Sequence, residues 1–114
     1  MPTSGELVEG LRSLEDGYIP PVFEKWGGYE LLDGKSIVRP RESLEHVRKL
    51  TSIGVFAGIS SGAALAGACK VAARIERGTI VFVVCDYGWK YLSTGAFTAD
   101  LDEAAANAEK IIYF

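Results

Sequence analysis

The chain has 114 residues, 48% of them apolar, and a formal net charge of −3. That length allows one domain at most, and the composition excludes a disordered chain or a coiled coil. The acidic balance argues against nucleic acid or an anionic membrane as a partner, and no apolar run nears the roughly 18 residues that span a bilayer.

The N-terminal "MPTSGELVEG" is polar and acidic and does not read as a signal peptide. Glu6 to Leu14 is a short helix candidate. Gly17 to Gly34 has the Pro20-Pro21 and Gly27-Gly28 pairs of a loop yet holds Tyr18, Phe23, Trp26 and Tyr29. A loop of that length with so many aromatic rings is expected to lie against something. Ser36 to Val38 is a short strand candidate. Pro40 suits the first turn of a helix whose Leu44, Val47 and Leu50 share one face. Ile53 to Ala57 is a strand or an extended entry.

From Ser60 to about Arg77 the pattern is helical, with Lys70, Arg74 and Arg77 as a narrow polar stripe, so most of this helix should be buried. Thr79 to Cys85 is continuously apolar, which predicts a strand covered on both faces, as in a parallel sheet. Cys69 and Cys85 sit inside these apolar segments. They are expected to be small buried residues of a reduced, cytoplasmic protein rather than a disulfide. Gly88 to Phe97 is a loop or a broken helix. Asp102 to Ile111 is an Ala-rich helix capped by Asp100 or Asp102. Strands alternating with helices predict an α/β fold. A strand covered on both faces needs several neighbours, and few are encoded here, so the expected structure is part of a larger, mostly parallel sheet or one completed by a partner.

Gly58-Ile59-Ser60-Ser61-Gly62 has the form of a nucleophile elbow. That reading fails on the base: the single histidine, His46, precedes Ser60, and no imidazole follows it. With one histidine and no Cys/His spacing, no metal site is expected either. Two readings of Ser60 stay open on the residues alone. It or Ser61 caps the helix, satisfying free backbone N–H groups, or Ser60 serves a ligand at a helix N-terminus where Gly58 and Gly62 permit close approach. The segment "DYGWKYLSTGAF" after the apolar strand would lie at the same edge, where ligands gather in open α/β sheets.

Three blocks carry a resemblance. Gly58 to Ala64 (GISSGAA), Cys85 to Phe97 (CDYGWKYLSTGAF) and Gly10 to Glu24 (GLRSLEDGYIPPVFE) together resemble the C-terminal part of pyridoxal-phosphate-dependent cysteine synthases, the latter two most like the B-type enzymes. The resemblance implies the type II pyridoxal-phosphate fold, the chain being the C-terminal part of its three-layer large domain. It also implies a usual homodimer, and L-cysteine synthesis by β-replacement on O-acetylserine or O-phosphoserine. On the same resemblance Ser60 hydrogen-bonds the pyridine nitrogen of the cofactor, and Arg12 faces the phosphate of a phosphoserine substrate. Asp86, at the end of the apolar strand, is weighed as a neighbour of the ring and favoured as a turn or capping residue. The family's Schiff-base lysine motif, its Thr-Ser-Gly-Asn-Thr substrate loop and its Gly-rich phosphate loop do not occur in this sequence. No catalytic residue is therefore expected in this chain. It is expected to be one partial domain over residues 1–114, inactive alone, whose partners are the missing N-terminal part or a second copy. A non-catalytic relic or binding module is the alternative.

Overall fold

Two prolines open helices. In the computed structural model, which describes residues 19–110 with side chains to residue 106, α1 spans Pro21–Lys25 and α2 spans Pro40–Ser52, each with proline in its first turn. Proline has its φ preset for a helix, and the N–H it lacks would find no partner there. Helix α3 follows over Ile59–Ala72 and α4 over Leu101–Lys110. Two 3₁₀ segments, Gly28–Leu31 and Gly88–Thr94, lie between them in the chain order α1, 3₁₀, α2, α3, 3₁₀, α4. The expected helix over Glu6 to Leu14, Tyr18 and Arg12 all lie outside the described residues.

Helix α2 is amphipathic. Ser43, Leu44, Val47 and Leu50 recur on one side and are buried, the spacing expected for a core-facing stripe. Its start is fixed from two directions. The Arg39 N–H donates to Glu42 Oε2 at 2.8 Å, the backward half of a capping box, and Glu42 also pairs with Lys70 of α3 at 2.8 Å. Burial works against ionisation of Glu42. The Arg39 N–H, the Lys70 ammonium and the charge of protonated His46 outweigh it and hold the carboxyl below its usual range.

Helix α3 packs on α2 through its smallest residue. A Cβ placed on Gly62 would fall 2.2 Å from the Ser43 carbonyl oxygen and 2.7 Å from the Val47 nitrogen, so the backbones meet where only glycine fits. Ser43 Oγ donates to the Ile59 carbonyl at 2.5 Å across the same contact. Lys70 Nζ reaches the Ile37 carbonyl, tying the far end of α3 to the entry of α2. The core gathers Val38, Leu44, Ile59, Ala63, Ala66, Tyr91, Ala96 and Ala104, from both long helices, the second 3₁₀ segment, α4, and the segments just before α2 and just after that 3₁₀ segment. Arg48 on α2 donates to the carbonyls of Gly95, Ala96 and Ala99, clamping the turn that leads into α4. Asp100 caps that last helix, accepting from the Asp102 N–H at 2.9 Å and the Glu103 N–H at 3.4 Å. This is one of the two expected caps.

The expected sheet is not formed. Among the described residues no strand is assigned, and the only ladder contact is an isolated antiparallel bridge between Ala57 and Tyr87. Thr79 to Cys85 has no strand partner among the described residues, and most of its side chains are open to solvent, Val81 to 89%, with Ile80 and Phe82 half-buried. This corrects the expectation of a strand buried on both faces. The reason is physical: a strand satisfies its backbone only through neighbours, and the described segments present none alongside this one. Ser36 to Val38 likewise forms no ladder among the described residues, although Val38 is buried. The same lack of cover explains two further corrections. Cys69 and Cys85 are free but exposed, not buried. Helix α3 is buried mainly along its first half and ends at Ala72, five residues before Arg77. The Phe23 and Tyr29 rings meet edge to face at 5.5 Å, while Trp26 stays largely exposed with Lys25 beside it.

Candidate functional site

The first turn of α3 is closely packed on both sides, and Ser60 sits inside it. The preceding residue Gly58 is extended, and its N–H donates to the Asp86 carbonyl at 3.0 Å. One residue earlier comes the Ala57–Tyr87 bridge, and the Gly88 N–H donates to the Phe56 carbonyl at 3.2 Å. Gly88 allows this approach. A Cβ there would lie 2.8 Å from each of the Phe56 and Phe97 rings, which themselves pack at 4.8 Å between centroids. The two sequence blocks GISSGAA and CDYGWKYLSTGAF, 24 residues apart at Ser61 and Cys85, are thus brought side by side.

The two serines divide their roles. Ser61 is fully buried, and its Oγ accepts the Cys85 N–H at 3.0 Å. Ser60 is 6% exposed, and its hydroxyl has no hydrogen-bond partner among the described residues. Neither side chain caps the helix, because the N-cap position belongs to Gly58 and no side chain bonds there. The cap reading of Ser60 and Ser61 is therefore corrected. The α3 start carries the partial positive charge of a helix N-terminus.

Asp86 lies against this turn. Its Oδ2 accepts from Tyr91 Oη at 2.6 Å and stands 3.7 Å from Lys90 Nζ. Its Oδ1 is buried without a partner among the described residues and rests on the Cα of Gly58, where a Cβ would fall 1.9 Å from it. Asp86 thus accepts from a tyrosine and packs on a glycine, a role the sequence signals only by the adjacency of the Asp86–Tyr91 block to the glycine-flanked serines. An open cleft of about 480 Å³ lies between Gly54–Phe56 and Val84–Tyr87, with Asp86 in its wall and Ser60 outside it. Arg12, the other predicted site residue, falls outside the described residues, so the structure does not place it relative to Ser60. Among the described residues no group of His, Cys, Asp and Glu could hold a metal.

No protein-family model matches the chain. Curated relatives do. The chain is 36% identical over 97 residues to cysteine synthase B of Escherichia coli (strain K12), covering 84% of this chain and 31% of that protein. The chain is a cysteine synthase homologue. It is also 33% identical over 96 residues to a cysteine synthase of Aquifex aeolicus (strain VF5), covering 80% of this chain and 28% of that protein. With cysteine synthase B of Pseudomonas aeruginosa it shares 28% over 97 residues, again 84% of this chain and 31% of that protein. This cysteine synthase homologue therefore spans about a third of the length of the curated relatives it matches. Among its described residues no helix is long and apolar enough to cross a membrane.

Proposed function

We propose that this chain supplies one wall of a cysteine synthase active site, the wall that meets the ring-nitrogen end of pyridoxal phosphate. The observation that carries the proposal is Ser60: a hydroxyl on a nearly buried residue at the start of α3, without a partner among the described residues while its neighbour Ser61 is engaged. A hydroxyl of this kind fits a pyridine nitrogen, because it can donate to the lone pair without bringing a charge. The partial positive charge of the α3 N-terminus acts in the same direction and disfavours a protonated ring. When bound, pyridoxal phosphate supplies an electron sink for α-proton loss and β-elimination, and a neutral partner for its nitrogen keeps that sink moderate.

The reaction proposed for the complete enzyme is L-cysteine formation by β-replacement on O-acetylserine or O-phosphoserine with a sulfur donor. Arg12 is proposed to meet the phosphate of a phosphoserine, to which a guanidinium offers a matching fork of donors. The lysine, the substrate loop and the phosphate loop belong to a part of the enzyme outside this sequence, so this chain by itself is proposed to be inactive. Its partner is then that part, or a second copy of this chain.

Pyridoxine 5′-phosphate, which has the ring but no aldehyde, tests the ring site on the full chain. Ser60→Ala is expected to weaken its binding about fivefold, the equivalent of about 1 kcal/mol for a neutral hydrogen bond. Equal affinity for the two proteins would reject the role of Ser60. Incubation with pyridoxal phosphate and borohydride is expected to give only sparse labelling of several lysines. A single stoichiometric adduct on one lysine would overturn the proposal that the chain is inactive alone. In enzyme assembled with its remaining part, Arg12→Ala should impair phosphoserine use far more than acetylserine use; equal losses would make Arg12 structural.

A further inference from the structure

Ser60 owes its position to residues on both sides of it; besides the α2 contacts of Ile59 and Gly62, these come from one short stretch, Cys85 to Tyr91. On the N-terminal side, the Gly58 N–H is held by the Asp86 carbonyl at 3.0 Å, and the Cα of Gly58 is pressed between Asp86 Oδ1 and the Tyr91 ring. A Cβ on Gly58 would stand 1.9 Å from that oxygen and 2.7 Å from Tyr91 Cε2. On the C-terminal side, Ser61 Oγ is held by the Cys85 N–H. Ser60 lies between these two anchors with no side-chain bond of its own among the described residues. The Gly58 carbonyl in turn accepts the Ser61 N–H at 3.1 Å and the Gly62 N–H at 3.4 Å, so the placement of Gly58 sets the first turn of the helix.

Asp86 is the centre of the arrangement. Tyr91 is buried, and its hydroxyl fixes one carboxylate oxygen at 2.6 Å. That bond aims the other oxygen at Gly58, where it stays buried without a hydrogen bond among the described residues. A carboxylate oxygen kept in such a place, when a smaller or apolar residue would avoid the desolvation, calls for a reason beyond packing.

We propose that Asp86, oriented by Tyr91, is the positioning residue for Ser60: it holds the Gly58 turn so that the Ser60 hydroxyl stands at one defined point at the start of α3. The proposal rests on the reading of Ser60 as the contact to the cofactor ring. Asp86 itself touches no ring atom in this scheme, and its carboxylate acts through the backbone of Gly58.

Hydrogen exchange of the full chain, without ligand, tests the positioning. Asp86→Ala is expected to raise exchange at the Ser61 and Gly62 amides at least tenfold while leaving the α4 amide of Ala104 unchanged. Tyr91→Phe, which keeps the ring and removes only the hydroxyl, should raise it severalfold. The double variant should exchange no faster than Asp86→Ala alone, because both changes release the same contact. Unchanged exchange in Tyr91→Phe and Asp86→Ala would overturn the proposal. If Asp86→Ala does not fold, Tyr91→Phe decides alone.

Affinity for pyridoxine 5′-phosphate separates positioning from mere structure. Asp86→Ala and Ser60→Ala should weaken binding to a similar degree, and the pair together no more than one alone. Multiplying losses would show that Asp86 does not act through Ser60. Full affinity in Ser60→Ala, or no binding to the unaltered chain, would instead reject the ring-site reading itself, and the exchange experiment would still decide whether Asp86 holds the turn.

Discussion

Two apolar stretches of this chain meet opposite fates. The first half of α3, from Ile59 to Ala66, is mostly buried against α2, whereas Thr79 to Cys85 lies mostly open to solvent. Composition does not separate them, since the exposed stretch is the richer in large side chains. The difference is in the backbone. A helix satisfies its own N–H and C=O groups and needs cover only for its side chains, which α2 supplies along one face. An extended segment needs neighbours for both, and none lies beside it among the described residues. Apolarity therefore states a demand for burial. Whether the chain meets that demand depends on which secondary structure can be completed locally.

The buried half of this contrast is broken most sharply at Gly62. Gly62→Val is expected to lower stability by about 3 kcal/mol or more, because its Cβ would meet the backbone of Ser43 and Val47, which cannot step aside as a side chain can. Urea unfolding followed by circular dichroism reads the effect, and a loss under about 1 kcal/mol would show that the two helices separate easily. Leu44→Ala tests the same interface from the other side. Leu44 is 2% exposed, so its truncation should cost about 2–5 kcal/mol in the same assay.

Arg48 comes next. Its guanidinium serves three carbonyls of the turn before α4, and Arg48→Ala leaves them without their donor. A loss of about 1.5–3 kcal/mol is expected, with the α4 amides exchanging faster than those of α3. Uniform acceleration across both helices would show that the clamp is not local.

A smaller effect is expected from Glu42. Its carboxyl is held below the usual range in the folded chain, so the stabilisation it brings is present above its unfolded value, near 4.5, and disappears as pH falls through the lower folded value. Glu42→Gln should remove that part of the acid dependence. The pair with Lys70 is a third or more exposed on both sides, so solvent screening keeps the difference to about 1 kcal/mol or less. Identical acid midpoints for the two proteins would show that the carboxylate contributes nothing.

The exposed half of the contrast should respond least in stability. Val81→Lys is expected to change the unfolding free energy by no more than about 0.5 kcal/mol, as for a surface position. If a second copy of this chain is the partner and pairs through this apolar face, the substitution should still abolish that pairing, because each uncovered large side chain forgoes about 1.5–3 kcal/mol of burial. Light scattering over a dilution series separates the two effects. A monodisperse monomer before the substitution would show that the face needs no cover.

Local chemistry determined a good part of this protein from its sequence alone. Pro40 and the Leu44, Val47, Leu50 spacing located α2, Asp100 capped α4, and the Gly88 to Phe97 stretch, expected as a loop or a broken helix, carries a 3₁₀ segment over Gly88–Thr94. These features depend on residues a few positions apart, where steric and hydrogen-bonding rules act without regard to the rest of the fold. The GISSGAA and CDYGWKYLSTGAF blocks likewise pointed to the cysteine synthases, whose curated members the chain matches. Only the tertiary structure decided the rest. Which of two adjacent serines is engaged depends on a backbone N–H 24 residues away, at Cys85. The role of Asp86 depends on a glycine 28 residues before it, and Arg48 finds its acceptors some 50 residues on. The state of Thr79 to Cys85 depends on strands that do not stand beside it among the described residues. Contacts across such distances in the chain leave no periodicity to read, because they are set by which elements pack together rather than by what each element prefers alone.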